Sequence, residues 1–443
     1  MPRIVLLSVM LIVGSGPLLS QVEPSATGGG VDTSDDSLMT LPPAVSGAFY
    51  PAGVASEDRS NFLSGNIVTI VAYNDNVLTG QTVKPVSAES YQILPTIRLD
   101  ERTSRLHESL SYSPGFVFYD PTSEINEVTQ NAVGSLQYRM TPHTTFALQE
   151  TFQQNSTVFS APYTVSGATF SGSDAGGPVL IAPYAGQIMN TTAAHVGYQF
   201  SRSSMIGLSG SYNLFNFSNL AVSEGLYNSN SGDGSVFYSR RLTRSQYLGM
   251  SYRYDVSETN PYASTTKSQY GSVFYSVVLS KAFSLSLTGG PEYSTTTAPG
   301  VSAINTWAPS GIASLNWHAQ RANVSVSYAR AVITGWGLLG AATTDNAAAS
   351  MQWRFTRRVT GTLNASYANI KNATAIISSY TQTGHSLFGR ASLGYEISEH
   401  MNVVGEYTRL HESYYGIPAI SNSPNADRVA VTLTYRFEKP LGR

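Results

Sequence analysis

Along most of the chain, apolar residues alternate with small polar ones at a period of two. Phe283, Leu285 and Leu287 alternate with Ser284, Ser286 and Thr288. Val324, Val326 and Tyr328 alternate with Asn323, Ser325 and Ser327, and Leu363, Ala365 and Tyr367 with Asn364, Ser366 and Ala368. At the end of the chain, Val429, Val431, Leu433, Tyr435 and Phe437 alternate with Ala430, Thr432, Thr434 and Arg436. Successive side chains of a strand point to opposite faces, so this pattern predicts strands with one apolar and one small, polar face.

Aromatic anchors recur along these strands, each just before a tight polar turn. They are Tyr138, Tyr198, Tyr238, Tyr275, Trp317, Trp353, Tyr395 and Tyr435, and from Tyr198 on they lie roughly 36–42 residues apart. Two strands of about 10 residues with one short and one long connection fill such a period. The connections do alternate in length. Short ones fall at 141–143, 201–203, 243–244, 281–282, 320–321, 356–358 and 398–400. Long ones run over about 120–130, 157–192, 217–233, 256–269, 295–309, 336–346, 370–384 and 412–426. The pattern predicts an all-β, up-and-down antiparallel transmembrane β-barrel with short periplasmic turns and long extracellular loops. The in-phase aromatics form a girdle at one interface rather than a sugar-stacking path.

Counting from Arg105 gives about 16 strands. Two further candidates, Phe62–Tyr73 and Tyr91–Asp100, raise the count to about 18. Both totals are even and leave both termini in the periplasm, so the two candidates count together or not at all. Eighteen is preferred because Tyr91–Tyr119 reads as a hairpin, although Pro95 removes a ladder donor.

Composition sharpens this picture. Charged residues are 12% of the 443, about half the soluble average, while hydrophobic residues are 42%. A wall with an apolar outside and a lumen of Ser, Thr, Asn and Gly needs few charges. The net charge of −2 gives no support for nucleic-acid binding. The N-terminus carries Arg3, an apolar run from Ile4 to Val13 and small residues to Ser20. That pattern predicts a signal peptide over 1–20 and export. Residues 21–60, rich in Gly, Ser, Pro and Asp, predict a flexible periplasmic segment, with a small plug as the alternative. The barrel is expected over 61–443. With no Cys, disulfides and thiolate chemistry are excluded.

These residues resemble Gram-negative outer-membrane β-barrels of the porin type, over about 62–443. The C-terminal strand ending on Phe437 resembles the aromatic signal read by the barrel-assembly machinery, although Glu438 to Arg443 follow it. The resemblance implies residence in the bacterial outer membrane, contact with its lipid and lipopolysaccharide, and help from that machinery during insertion. Assembly into a homo-oligomer stays open.

Candidate chemistry is sparse. The seven His are scattered, without His-Glu-x-x-His spacing. Outer-membrane phospholipases use a His and a Ser on the outer barrel wall, and His107 with Ser109, or His195, are the positions that could serve. Ser171–Gly177 has loop composition with one carboxylate, too few for a calcium shell. Nothing calls for catalysis, a metal or a cofactor. If the apolar rows face lipid, then Arg139, Arg253, Asp255, Glu292, Arg354, Arg390, Glu396, Glu406 and Arg436 point inward. They either lock a narrow barrel in pairs or line a water-filled pore of weak selectivity. At about 18 strands the bore exceeds what side chains alone can fill, and the 157–192 loop is the candidate constriction. The expected function is a passive channel for small hydrophilic solutes. The alternatives are a non-conducting structural or adhesion barrel and, third, an outer-membrane lipid hydrolase.

Overall fold

The computed structural model describes residues 60–78, 84–157, 184–217, 227–260, 264–280, 282–334, 341–372, 383–415 and 425–440. They form β1 (Ser60–Asn74), β2 (Ala88–Arg102), β3 (Leu106–Asp120), β4 (Glu127–Thr141), β5 (Thr144–Thr157) and β6 (Tyr184–Ser201). There follow β7 (Ser204–Phe217), β8 (Asn228–Thr243), β9 (Gln246–Asn260), β10 (Ser264–Val278), β11 (Phe283–Ala298) and β12 (Val301–His318). The last are β13 (Ala322–Thr334), β14 (Ala341–Arg354), β15 (Val359–Asn372), β16 (Thr383–Ser398), β17 (Met401–Tyr415) and β18 (Asn425–Pro440).

Each strand pairs antiparallel with the next, and β18 returns to β1 from Phe62↔Pro440 to Asn74↔Arg428. The 18 strands thus close into a barrel, which removes the exposed edge that lipid could not satisfy. The count of 18 holds because both early candidates join the wall. Pro95 is tolerated where the β2–β3 ladder lapses, between Ile93↔Phe116 and Ile97↔Tyr112. There Thr96 Oγ1 donates to Ser113 Oγ at 3.0 Å instead.

Several expected long connections prove shorter, because polar strand ends read as loop. Residues 295–309 are mostly strand, with β11 and β12 meeting at a turn around Gly300, whose φ of +76° suits a residue without Cβ. Strand also occupies 256–260 and 264–269, and β8 and β14 begin within the expected loops 217–233 and 336–346. Thr295–Thr297 and Ser264–Thr266 lack an apolar row, which is why composition misplaced them. The expected signal peptide, the 21–59 segment and 158–183, the core of the candidate constriction loop, lie outside the described residues.

The apolar rows face outward. Val431, Leu433 and Tyr435 are 52%, 40% and 46% exposed, with luminal Thr432 and Thr434 between them. All eight aromatic anchors stand in outward rows near the short turns, as a girdle does. Leu433→Arg is expected to cost about 2–4 kcal/mol if Leu433 sits near the midplane, and Thr434→Arg far less. A folding titration into lipid vesicles measures both; equal losses would refute this register.

Luminal packing is set partly by glycine. A Cβ on Gly207 would lie 2.1 Å from the ring of Phe237, and one on Gly249 would lie 2.2 Å from that of Phe274. Each ring therefore lies flat on a bare backbone of the neighbouring strand rather than projecting into the bore. β10–β12 bend hard where Gly271, Gly290 and Gly311 meet: a Cβ on Gly290 would sit 1.8 Å from the Gly271 carbonyl oxygen. The β10–β11 ladder lapses there, between Tyr270↔Glu292 and Val273↔Gly289.

Candidate functional site

The site is the luminal face. All nine inward-predicted residues occupy luminal rows: Arg139 on β4, Arg253 and Asp255 on β9, Glu292 on β11 and Arg354 on β14. Arg390 and Glu396 follow on β16, Glu406 on β17 and Arg436 on β18. The structure does not bring them into one cluster. Arg354, Glu396 and Arg436 stand exposed at the short-turn mouth, and Arg139 there donates from Nη2 to the Ser104 carbonyl at 2.9 Å. Along β14–β18 the luminal side chains pass from this exposed mouth to buried Ala342, Thr344, Ile370, Leu410 and Ala426 at the other end. Along β14–β18 the lumen is therefore open to solvent on the side of the short turns and tight on the side of the long connections, whereas on β8–β10 luminal Phe237, Ser239, Phe274 and Ser276 are buried near the short turns as well.

Glu292 marks the tight end. It is 1% exposed. Its Oε1 accepts from Ser268 Oγ on β10 at 2.7 Å and lies 3.7 Å from Arg253 Nη2 on β9. Its Oε2 accepts from Ser310 Oγ on β12 and from the backbone N–H of Val332 on β13, the latter at 3.2 Å. The last contact reveals a fold-in. β12 and β13 pair only from His318↔Asn323 to Gly311↔Arg330, whereas β13 and β14 stay paired to Thr334↔Ala341. Beyond Arg330, β13 leaves the wall and passes inside β12, where Glu292, rooted on β11, holds it. Val332 and Ile333 are buried, and Ala341 and Ala342 wholly so. Sequence reading looked for a constriction at 157–192; among the described residues, the inward element is this β13–β14 end.

A second charged group lies on β16–β18. The Arg390 guanidinium donates to the Glu406 carboxylate, Arg428 Nη1 is 3.8 Å from Glu406 Oε1, and Thr408 Oγ1 donates to Oε1 at 3.1 Å. Arg428 was missed because the alternation was followed only from Val429; its register, in step with Ala430 and Thr432, would have found it. Asp233 accepts from Ser211 and stands in register with Asp255, but it falls inside the stretch that sequence reading gave to a loop. Asp100 lies 3.4 Å from Arg98 Nη2 and 3.3 Å from His107 Nε2, a third luminal group. Between these groups the wall is hydroxyl-rich: Ser257, Thr266, Ser276, Ser286, Ser294 and Thr296 are all luminal and buried.

His107 and Ser109 face the lumen, and buried His195 stacks on Phe237 with ring centroids 5.9 Å apart. Neither His stands on the outer wall where the lipid-hydrolase alternative needs it.

No protein-family model matches the sequence, and no curated protein matches it. Among solved structures, Pseudomonas aeruginosa OpdK with vanillate is similar at a TM-score of 0.44 and 9% identity, covering 85% of this chain and 99% of that one. P. aeruginosa OccK2 (OpdF) in complex with glucuronate is similar at 0.43 and 9%, covering 86% and 98%. Acinetobacter baumannii OccAB3 is similar at 0.43 and 10%, covering 85% and 99%. By its own strand count, closure, outward apolar belt and aromatic girdle, the chain is an 18-stranded closed antiparallel β-barrel of transmembrane architecture.

Proposed function

We propose that this barrel is a passive channel admitting small hydrophilic solutes across the bacterial outer membrane. The observation that carries the reading is the luminal face: hydroxyl-rich, open to solvent at the short-turn mouth along β14–β18, and crossed by groups of both charge signs. A lumen built only to fill a structural barrel needs no such polar path, because buried charges cost more than apolar packing. Taken together the luminal charges named here are close to balance, six Arg against five carboxylates, which favours weak ion selectivity over a ring of one sign. The inward end of β13 narrows the bore, which favours small solutes. Arg139, Arg253, Asp255, Glu292, Arg354, Arg390, Glu396, Glu406 and Arg436 are the pore-lining residues of this reading, joined by Asp233 and Arg428.

Insertion of the purified barrel into planar bilayers is expected to give stepwise single-channel currents. Liposomes carrying it are expected to swell in small sugars and amino acids and not in large oligosaccharides. A folded barrel that carries no current at any voltage would instead favour a structural or adhesion barrel, a reading the buried long-connection end also supports.

A further inference from the structure

The luminal rows of β7–β11 hold more carboxylate than their own basic side chains balance. Asp233 on β8 stands directly opposite Asp255 on β9, and Glu292 follows on β11. Directly opposed residues of an antiparallel pair have Cβ atoms about 4.5–5.5 Å apart, and like charges there repel. Among the described residues, Arg253 is the one basic side chain on these rows between the short-turn mouth and the long connections. Its guanidinium lies 3.7 Å from Glu292 Oε1 and 5.5 Å from the centre of the Tyr270 ring. One guanidinium for three carboxylates leaves two negative charges in excess.

A second, independent observation lies one step along the same luminal row of β9. Ser257 is 2% exposed, and its Oγ meets no hydrogen-bond partner among the described residues. It sits between Ser231 on β8 and Thr266 on β10. A hydroxyl covered from solvent and left without a partner is costly. Beside it a small cavity is lined in part by Asn213, Ser229 and Ser231. Excess negative charge, an unused buried hydroxyl and open space therefore meet at one place, and every ligand atom on offer is oxygen.

We propose that Asp233 and Asp255, with the hydroxyls of Ser211, Ser231 and Ser257, form a luminal binding site for one divalent cation, calcium in preference to magnesium. Hard divalent cations take carboxylate and hydroxyl oxygens. Strands about 4.8 Å apart do not draw their ligands into the near-ideal octahedron at about 2.1 Å that magnesium demands, whereas calcium accepts irregular shells at about 2.3–2.6 Å completed by water. The ion turns the repulsion between the two Asp into a shared attraction. The site rests on the fold alone; its effect on current rests also on the channel reading. With the ion held, the excess negative charge of this wall is cancelled, and the reversal potential in a salt gradient moves toward anions.

The test uses the full barrel refolded from the denatured chain into detergent, without lipopolysaccharide, which itself binds calcium. After chelator treatment, calorimetric titration should find one calcium ion per barrel and weaker binding of magnesium. Asp233→Asn combined with Asp255→Asn should abolish calcium uptake, and Ser257→Ala should weaken it about tenfold. Asp345→Asn, which removes an acid from the outward face of β14, should leave it unchanged. In chelator the double variant should resist denaturant better than the wild type, because the like-charge pair is gone. Calcium should raise the unfolding midpoint of the wild type and not that of the variant. Heat-modifiable mobility reports that each protein is folded, and Asp255→Asn alone replaces the double variant should that one not fold. A wild-type barrel that takes up no calcium would overturn the proposal whatever its conductance, as would uptake unchanged in the folded Asp variants. So would a wild type stabilised by acid and not by calcium, the behaviour of two Asp sharing a proton. Calcium uptake by a barrel that carries no current would keep the site and remove only the channel reading.

Discussion

Glu292→Ala should raise the single-channel conductance of the folded barrel, with Glu292→Gln raising it less. The carboxylate joins β9, β10, β12 and the inward end of β13 at one point. Without it the Val332 N–H loses its luminal acceptor, and the β13 end is free to move back toward the wall. The side chain of Gln can still accept from one side, so its effect is intermediate. Stability should fall as well, by about 2–4 kcal/mol, since a buried acceptor of several hydrogen bonds is lost and Arg253 is left short of a counter-charge. Bilayer recordings alongside denaturant unfolding separate the two effects. Lower stability with unchanged conductance would show that Glu292 braces the wall without controlling the bore.

The Arg390–Glu406–Arg428 group should set the sign of what selectivity there is. Glu406→Gln leaves two guanidiniums on β16 and β18, the strands on either side of it, and should move the reversal potential in a salt gradient toward anions. Replacing both Arg390 and Arg428 by Gln leaves the carboxylate alone and should move it toward cations. The first change carries the larger structural penalty. Arg428 is 8% exposed, and stripping one partner from a buried ion pair costs about 3–5 kcal/mol. Arg354→Glu, at the exposed mouth, should shift the potential in the same direction as the double Arg change but by less, because water and salt screen it. Shifts of one sign from both changes at the β16–β18 group would remove it from the conduction path.

Alternation carried most of this fold into view. Where a strand crosses lipid, the two faces meet unlike solvents, and Val429 to Phe437 or Phe283 to Thr288 could be read straight off. The pattern fails where that contrast ends. Beyond the apolar belt both faces of a strand carry polar residues, so Thr295–Thr297 and Asn305–Thr306 read as loop although they are β11 and β12. In β1 both faces are apolar because the luminal side carries Val68, Ile70 and Ala72, and its alternation looked poor. The inward residues followed from parity alone, but their partners did not. That Glu292 meets Val332 depends on β13 leaving its neighbour after Arg330, which no local pattern announces. Glu150 breaks the alternation outright, in a strand otherwise marked by Phe146, Leu148 and Phe152.

The β1–β18 seam has a consequence for how the ring could be cut. Beyond its ladder the seam is fastened near its outer end, where Asp75 N–H donates to the Asp427 carbonyl at 3.1 Å and Asp427 N–H to Asp75 Oδ1 at 2.7 Å. Near its other end the Phe437 ring covers Gly65. Physically it is one more strand pair that happens to lack a covalent turn, and the first and last strands meet at Phe62↔Pro440. The starting point of the chain on the circle is then arbitrary. A permuted gene that bridges Pro440 to Ser60 with a short linker and opens after Phe355 encodes the same circle. Its final segment, with Met351, Trp353 and Phe355 alternating with Gln352 and Arg354, closes on an aromatic residue as Phe437 nearly closes the natural one.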